Sequence, residues 1–339
     1  MAVDAMGGDH APTEVVAGAI AAASDGMSVV LTGRPGQLRP LLGTRPLGGD
    51  IRIVPAEDSL AMDEGALASW RRPRSSVAVA CQLVRRGQAV AVVSAGSTGG
   101  IVATARLRLR SLPGLLRPGL AVALPTRPKP TLLVDAGAIA DPKPEMMFQF
   151  AQLGVAYAQV AFGVQDPRVG LLTIGAEPGK GNKLALKAHE LLTAPAHGGL
   201  PIRFVGNIEG SDLLNGNVDV VVTDGFTGNV ALKTVEGTAS YVTEQMRAAF
   251  QRSRSARFGA LFQRRVLREL AGWIDAETYG GAALLGLEGT VVIAHGGSTA
   301  KGIASACRLA ADLARGDITE RIRERLGPGH RGGYFLRRQ

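Results

Sequence analysis

The feature that most constrains this chain is the regular return of short apolar runs with helical patterns between them. MAVDA, SVVLTG, IRIVPA, AVAVVSAG, GLAVALP, TLLVDAG, VGLLTIG, IRFVGN, VDVVVTDG and TVVIAHGG each have strand length. Alternation of this kind predicts an α/β fold: a largely parallel sheet with helices on both faces. Ligands of such sheets sit outside the carboxyl ends of the strands. Six segments end there in small, polar, glycine-rich loops: AMGGDHAP, SAGSTGG, DAGAIADPKPE, IGAEPGKGNK, TDGFTGN and HGGSTAKG. The expectation is that all six lie at one end of the sheet and line a common crevice with N–H groups, hydroxyls, lysines and an amide. Such a crevice suits a phosphate-sized anion.

The length of 339 residues accommodates one large α/β unit in two lobes. The reading places lobe 1 at about 1–118 plus 286–339, and lobe 2 at about 119–285. Asp4 and Asp9 stand where an export signal would carry its basic region, so no export signal is read and a cytoplasmic location is expected. The uncharged stretch GQAVAVVSAGSTGGIVATA centres on Gly, Ser and Thr and reads as strand, loop and helix start, not as a membrane span. Cys81 and Cys307 lie in apolar helical patterns, where buried free thiols are expected. The net charge of +9 favours an acidic partner or surface, but aromatics are 4% of residues and no nucleic-acid motif is present, so a nucleic-acid partner is not expected.

No nucleotide fingerprint fits. GAEPGKGN is one residue short of a Walker A loop and lacks its magnesium-binding hydroxyl, and no GxGxxG opens a βαβ unit. One segment departs from the alternation: 235–274 is helical without strands. In its second part Phe258, Leu261, Phe262, Val266, Leu270 and Trp273 recur at helical spacing among Arg257, Arg264, Arg265 and Arg268. This is a basic amphipathic helical hairpin, for which packing against a second subunit and contact with a membrane surface both stand open.

Taken together the loops resemble those of the bacterial phosphate acyltransferases, which make acyl phosphate from acyl-[acyl-carrier-protein] and inorganic phosphate. VDAMGGDHAP, SAGSTGG, DPKPEMMFQFAQLG, GLLTIGAEPGKGN, VVTDGFTGNVALKTVEG and YGGAALLGLEGTVVIAHGGS carry the resemblance over nearly the whole chain. It implies a fold like that of isopropylmalate dehydrogenases and phosphotransacetylases, a homodimer, a cytoplasmic location with peripheral membrane attachment, and a role in phospholipid synthesis. It also implies acyl carrier protein and inorganic phosphate as partners, a glycerol-3-phosphate acyltransferase downstream, and no metal, nucleotide or other cofactor. The family reads SAGNTGA where this chain has Ser97, and often GAN where it has Gly137-Ala138-Ile139.

Phosphate is already an anionic nucleophile, so the chemistry needs desolvation and orientation against a thioester carbonyl more than it needs a general base. Gly7, Gly8, Ser97, Thr98, Gly99 and Asn182 are the candidates for holding phosphate. Lys180, Asn229 and His295 are the candidates for catalysis, His295 as proton donor to the departing thiolate, with His10 a comparable residue. Asp9, Asp135 and Asp224 sit at strand ends, where each could order donors or cap a helix; for Asp9 the cap is expected. Nothing near Cys81 would activate it as an acyl acceptor. Arg71, Arg72 and Arg74 in SWRRPRSS form a candidate docking patch for an acidic carrier protein, or a solvated charge run. The alternatives are a non-catalytic carrier-protein or membrane binding protein, a short-chain phosphate acyltransferase, and an NAD-dependent β-decarboxylating dehydrogenase on the same fold.

Overall fold

The computed structural model describes residues 1–43, 50–64, 66–194, 199–253 and 262–327. Every one of the apolar runs forms a strand: β1 (Ala2–Asp4), β2 (Val29–Gly33), β3 (Ile51–Pro55), β4 (Ala91–Ser94), β5 (Gly119–Leu124), β6 (Thr131–Val134), β7 (Arg168–Leu172), β8 (Arg203–Ile208), β9 (Val220–Val222) and β11 (Thr290–Ile293). An additional strand, β10 (Ala282–Leu285), lies between glycine-bounded turns. Together they make one sheet in the order β3-β2-β1-β4-β11-β10-β5-β6-β9-β7-β8. The helices among the described residues are α1 (Thr13–Ser24), α2 (Pro35–Leu42), α3 (Ala66–Arg71), α4 (Ser76–Arg85), α5 (Thr98–Leu109), α6 (Pro144–Ala161), α7 (Lys183–Thr193), α8 (Gly225–Gln251), α9 (Arg264–Ile274), α10 (Ala300–Arg315) and α11 (Ile318–Leu326).

The sheet is parallel in two blocks that run in opposite directions. Strands β3, β2, β1, β4 and β11 are mutually parallel, as are β6, β9, β7 and β8. Between them β10 is antiparallel to both β11 and β5, and β5 is antiparallel to β6. An odd number of reversals turns the second block around. The expectation that all six glycine loops share one end of the sheet is therefore wrong: the loops after β1, β4 and β11 leave one edge, and those after β6, β7 and β9 leave the other.

The two sets of loops nevertheless flank the same stretch of sheet. Val93, Val292, Ala283, Ala121, Val134 and Val222 pair in turn across β4, β11, β10, β5, β6 and β9, forming one row. Each parallel strand among these ends within a residue or so of that row. At the usual spacing of neighbouring strands, β4 and β6 stand about 20 Å apart. That distance is the width of the floor between the two groups of loops.

Helix cover explains why this floor is open. One face of the sheet carries a continuous core, in which Val3, Val93, Val292, Ala121, Val134 and Val222 pack under α1, α6, α10 and α11. On the other face α4 and α5 cover one block through Val77, Cys81, Ile101 and Ala105, and Leu213 with the start of α8 covers the second. Between these two caps lies a groove of about 1100 Å³. Cys81 and Cys307 are free and buried as expected, and burial pushes both thiols up to about 12.

The segment read as a helical hairpin is helical where it is described, in α8 and α9. Its first helix does not begin at Val235; α8 starts at Gly225, directly after β9, because Asp224 caps it there. Only Gly225 and Gly228 of that long helix are buried. Phe258 and Leu261 lie outside the described residues, as does the side chain of Trp273. Phe262 is 75% exposed. No helix among the described residues is long and apolar enough to cross a membrane.

Candidate active site

The groove has an apolar floor and polar ends. Leu120, Val122 and Leu124 of β5 point into it, beside Ala282 of β10 and Ile293 of β11, and Leu232, Val235 and Ala239 of α8 form a wall. His295 and Ser298 from the loop after β11 and Thr98 from the start of α5 enter at the first block, and Gly137 from the loop after β6 and Asn229 from the first turns of α8 at the second. Of the residues expected to act, the structure thus brings Thr98, His295 and Asn229 to one cavity.

At the first end three loops meet by close backbone approach. Gly8 holds φ +116°, a region closed to most side chains, and a methyl group there would press on Ala95 and the Gly296 carbonyl. Gly7 packs beside Asp4 and Gly96. Asp9 does not cap α1, whose cap position is Pro12; its N–H instead donates to the Gly296 carbonyl at 2.9 Å, stitching the AMGGD loop to the HGGS loop. Asp9 lies three residues ahead of that cap, and its carboxylate stands beside Gly296 and Gly297 instead.

The hydroxyl of Ser97 is committed to structure. It accepts from the Gly100 N–H at 3.2 Å as the cap of α5 and donates to the Glu64 carbonyl at 3.0 Å. The N–H groups of Thr98 and Gly99, at the start of α5, have no partner among the described residues. Beside Gly99 the space is open. A helix start so arranged attracts an anion. His295 is exposed, and its Nδ1 accepts from the Gly297 N–H at 3.1 Å. In the neutral ring this leaves the proton on Nε2, where it is available for donation.

Asp4, which the sequence reading passed over, organises this end. It is buried; Ser94 Oγ donates to its Oδ2 at 2.7 Å and the Met6 N–H to its Oδ1 at 3.2 Å. Burial raises its pKa above the ordinary carboxylate value, against the hydrogen bonds that lower it. A signal was present: Val-Asp-Ala closes both β1 (Val3-Asp4-Ala5) and β6 (Val134-Asp135-Ala136).

Asp135 plays the same part at the second end. Its Oδ1 accepts from the N–H groups of Leu120 (2.9 Å), Gly137 (3.1 Å) and Ala138 (3.0 Å), and its Oδ2 from that of Ile139 (2.7 Å). Burial raises its pKa too, with these four bonds opposing. Ile139 therefore contributes its backbone here: its N–H goes to Asp135 and its carbonyl accepts from the Gly225 N–H. Gly137, at φ +132°, lies against Asn229, whose Cβ would stand 3.3 Å from a methyl group at that position. Asp224 is a cap, accepting from the Thr227 N–H and hydroxyl, both at 2.8 Å.

Lys180 and Asn182 do not line the groove. They follow β7, two strands beyond β6, where the Lys180 stem packs over Gly175 and Asn182 caps α7 by accepting from the Ala185 N–H at 2.9 Å. In the candidate docking patch Arg72 is tied to Glu64 at 2.7 Å and to the Ser59 carbonyl at 2.6 Å, and Arg74 to Glu57 at 3.1 Å, while Arg71 is exposed at the end of α3. His10 is exposed in the AMGGDH loop and is not among the groove residues. Among the described residues no cluster of His, Cys, Asp or Glu could hold a metal ion.

The family model described as "Fatty acid synthesis protein" matches residues 1–321. A phosphate acyltransferase of Thermobifida fusca is 61% identical over 339 residues, covering 100% of this chain and 94% of that protein. One of Thermus thermophilus is 45% identical over 330 residues, covering 97% and 99%. Among solved structures, a phosphotransacetylase from Streptococcus pyogenes aligns with a TM-score of 0.60 at 17% identity over 93% of each chain. A branched-chain phosphotransacylase from Enterococcus faecalis aligns at 0.56 and 15% identity, over 93% of this chain and 99% of that one. These two likenesses show the fold expected from the sequence; the family rests on the closer relatives, and by them the chain belongs to the phosphate acyltransferases of the fatty acid synthesis protein family, as an acyltransferase.

Proposed function

We propose that the protein moves a fatty acyl group from acyl-[acyl-carrier-protein] to inorganic phosphate, giving acyl phosphate for phospholipid synthesis. The observation that carries this reading is the composition of the groove: an apolar floor joined at one end to a helix start and to an imidazole whose Nδ1 accepts from the Gly297 N–H, leaving Nε2 to face a ligand. Phosphate sits against the N–H groups of Thr98 and Gly99, and the thioester carbonyl is presented to it from the groove. A phosphate oxygen attacks the carbonyl carbon, the C–S bond breaks as the tetrahedral intermediate collapses, and the thiolate takes a proton from His295. Holding nucleophile and thioester in one pose supplies the larger part of the acceleration, up to about 7–11 kcal/mol at the limit. The Asn229 amide faces the same groove as a donor for the oxyanion.

The exposed length of α8, with Phe226 67% exposed and Val230, Tyr241 and Val242 also uncovered, supports a second copy packing there. Phe262 and the exposed Arg264 and Arg265 support peripheral contact with an anionic membrane on the cytoplasmic side. Arg71 and its neighbours suit an acidic carrier protein. The direct test is incubation of the purified protein with acyl-carrier-protein thioester and phosphate. Phosphate-dependent release of carrier thiol together with a hydroxylamine-reactive acyl product is expected; thiol release that does not depend on phosphate would overturn the reading.

A further inference from the structure

The start of α10 is crowded with negative charge. Thr299, its cap residue, gives both its N–H (2.7 Å) and its hydroxyl (2.8 Å) to Glu277, and the Ala300 N–H donates to Glu14 at 2.7 Å. Two carboxylates thus occupy the first two backbone donors of this helix start. Two positions into the same helix stands Lys301, although a cation there opposes the helix dipole. Its ammonium is held by Asp275 at 2.6 Å, with the Thr278 hydroxyl at 3.4 Å, and its side chain lines the groove beside His295 and Ser298. Asp275 belongs to a separate turn, the short helix Ala276–Tyr279 that follows α9.

We infer that Lys301 is a substrate-binding residue, the cation that meets an oxyanion at the His295 end of the groove, and that Asp275 holds it ready until that anion competes for it. The inference rests on the acyl-transfer reading above. An anion brought toward His295 approaches the carboxylates of Glu277 and Asp275, which repel it, and Lys301 lies on the same stretch of wall to compensate them. Two sources of oxyanion fit this chemistry: inorganic phosphate, and the phosphodiester of a thioester donor's prosthetic arm. The ion pair alone would give a different pattern, because removing either partner of a purely structural pair removes the same bond.

Steady-state thiol release by the full chain, varying phosphate and acyl-carrier-protein thioester in turn, tests this with Lys301→Gln, Lys301→Arg and Asp275→Asn. Lys301→Gln is expected to raise one KM about tenfold or more, as loss of a charge-assisted hydrogen bond does, with kcat within about threefold. Lys301→Arg should restore most of it. Asp275→Asn should leave that KM unchanged or lower it. A rise confined to phosphate identifies inorganic phosphate as the anion; a rise confined to the thioester identifies the phosphodiester. If both neutralising variants shift KM and thermal stability alike and in the same direction, the pair is structural and the inference is overturned. It is equally overturned if Lys301→Gln leaves both KM values unchanged while the wild type turns over. A wild type without phosphate-dependent turnover would instead overturn the acyl-transfer reading itself.

Discussion

Replacing Gly228 with alanine tests whether α8 must rest on the loop after β6 for the site to work. A methyl group at Gly228 would overlap the carbonyl oxygen of Asp135 outright and come within 2.8 Å of Thr223 Cγ2, where ordinary contacts begin near 3.4 Å. Neither neighbour can yield: the oxygen is backbone, and Thr223 is buried and pairs by its N–H with Val134. The helix must therefore back away, by roughly 1 Å, and it carries Asn229 and the groove wall with it. Overpacking of this kind costs about 3 kcal/mol at the upper end of its usual range. For a chain of 339 residues that is a fall of about 4 °C in Tm. A 1 Å misplacement of catalytic groups costs about a hundredfold in rate, so kcat/KM should fall much further than stability suggests. The control lies on the same helix at Gly237, where a methyl group meets nothing within 4 Å. Gly237→Ala should raise stability by about 0.5–1 kcal/mol and leave activity unchanged. Differential scanning calorimetry and phosphate-dependent thiol release read both. Gly228→Ala with Tm within 1 °C and activity within about threefold of the wild type would refute the reasoning.

Other outcomes follow from the buried groups. Because the folded pKa of Asp135 is raised, its contribution to stability is fully present below the ordinary carboxylate pKa of about 3.9 and is lost as pH rises through the folded value. Urea denaturation of the wild type against Asp135→Asn should therefore show the difference moving in favour of the wild type as pH falls from 7 toward 4; the opposite trend would contradict the assignment. Cys81 and Cys307, buried with thiols near 12, should resist iodoacetamide in the native protein at pH 7.5 and react after denaturation, and alkylation of either with loss of native activity would revive an acyl-cysteine route. Phe262→Ser should weaken flotation with anionic vesicles and leave soluble turnover intact; dissociation of a dimer instead would assign the residue to packing.

Strand positions were legible because strands buried on both faces must be apolar throughout, and runs such as Val220–Val222 leave little room for another reading. The strand Ala282–Leu285 escaped because Ala-Ala-Leu-Leu has no β-branched residue and equally suits a helix; only its glycine-bounded pairing partners make it extended. Strand direction has no local signature at all, so the reversal across β10 and β5, and with it the separation of the glycine loops to two edges, could not be read. His295, Thr98 and Asn229, which the structure brings to the groove, were singled out because residues that follow strands are few and polar. Lys180 shared that pattern, but the sheet order that sets β7 two strands from β6 is non-local. Asp4 was missed because a carboxylate so close to the chain start reads as a surface charge, whereas here Ser94 and the Met6 N–H hold it inside.

Strand β5 belongs to both sides of the sheet, and from Gly119 to Val122 parity keeps its duties apart. Gly119 and Ala121 abut the closed side under α6, while Leu120, Val122 and Leu124 look into the groove. Exchanging Val122 for a larger or smaller apolar residue would shorten or deepen the chamber without disturbing the packing beneath it. On the acyl-transfer reading proposed above, the strand would serve as a ruler whose gradations are single side chains, and descendants of this fold would change the length of tail they accept by substitutions at alternate positions.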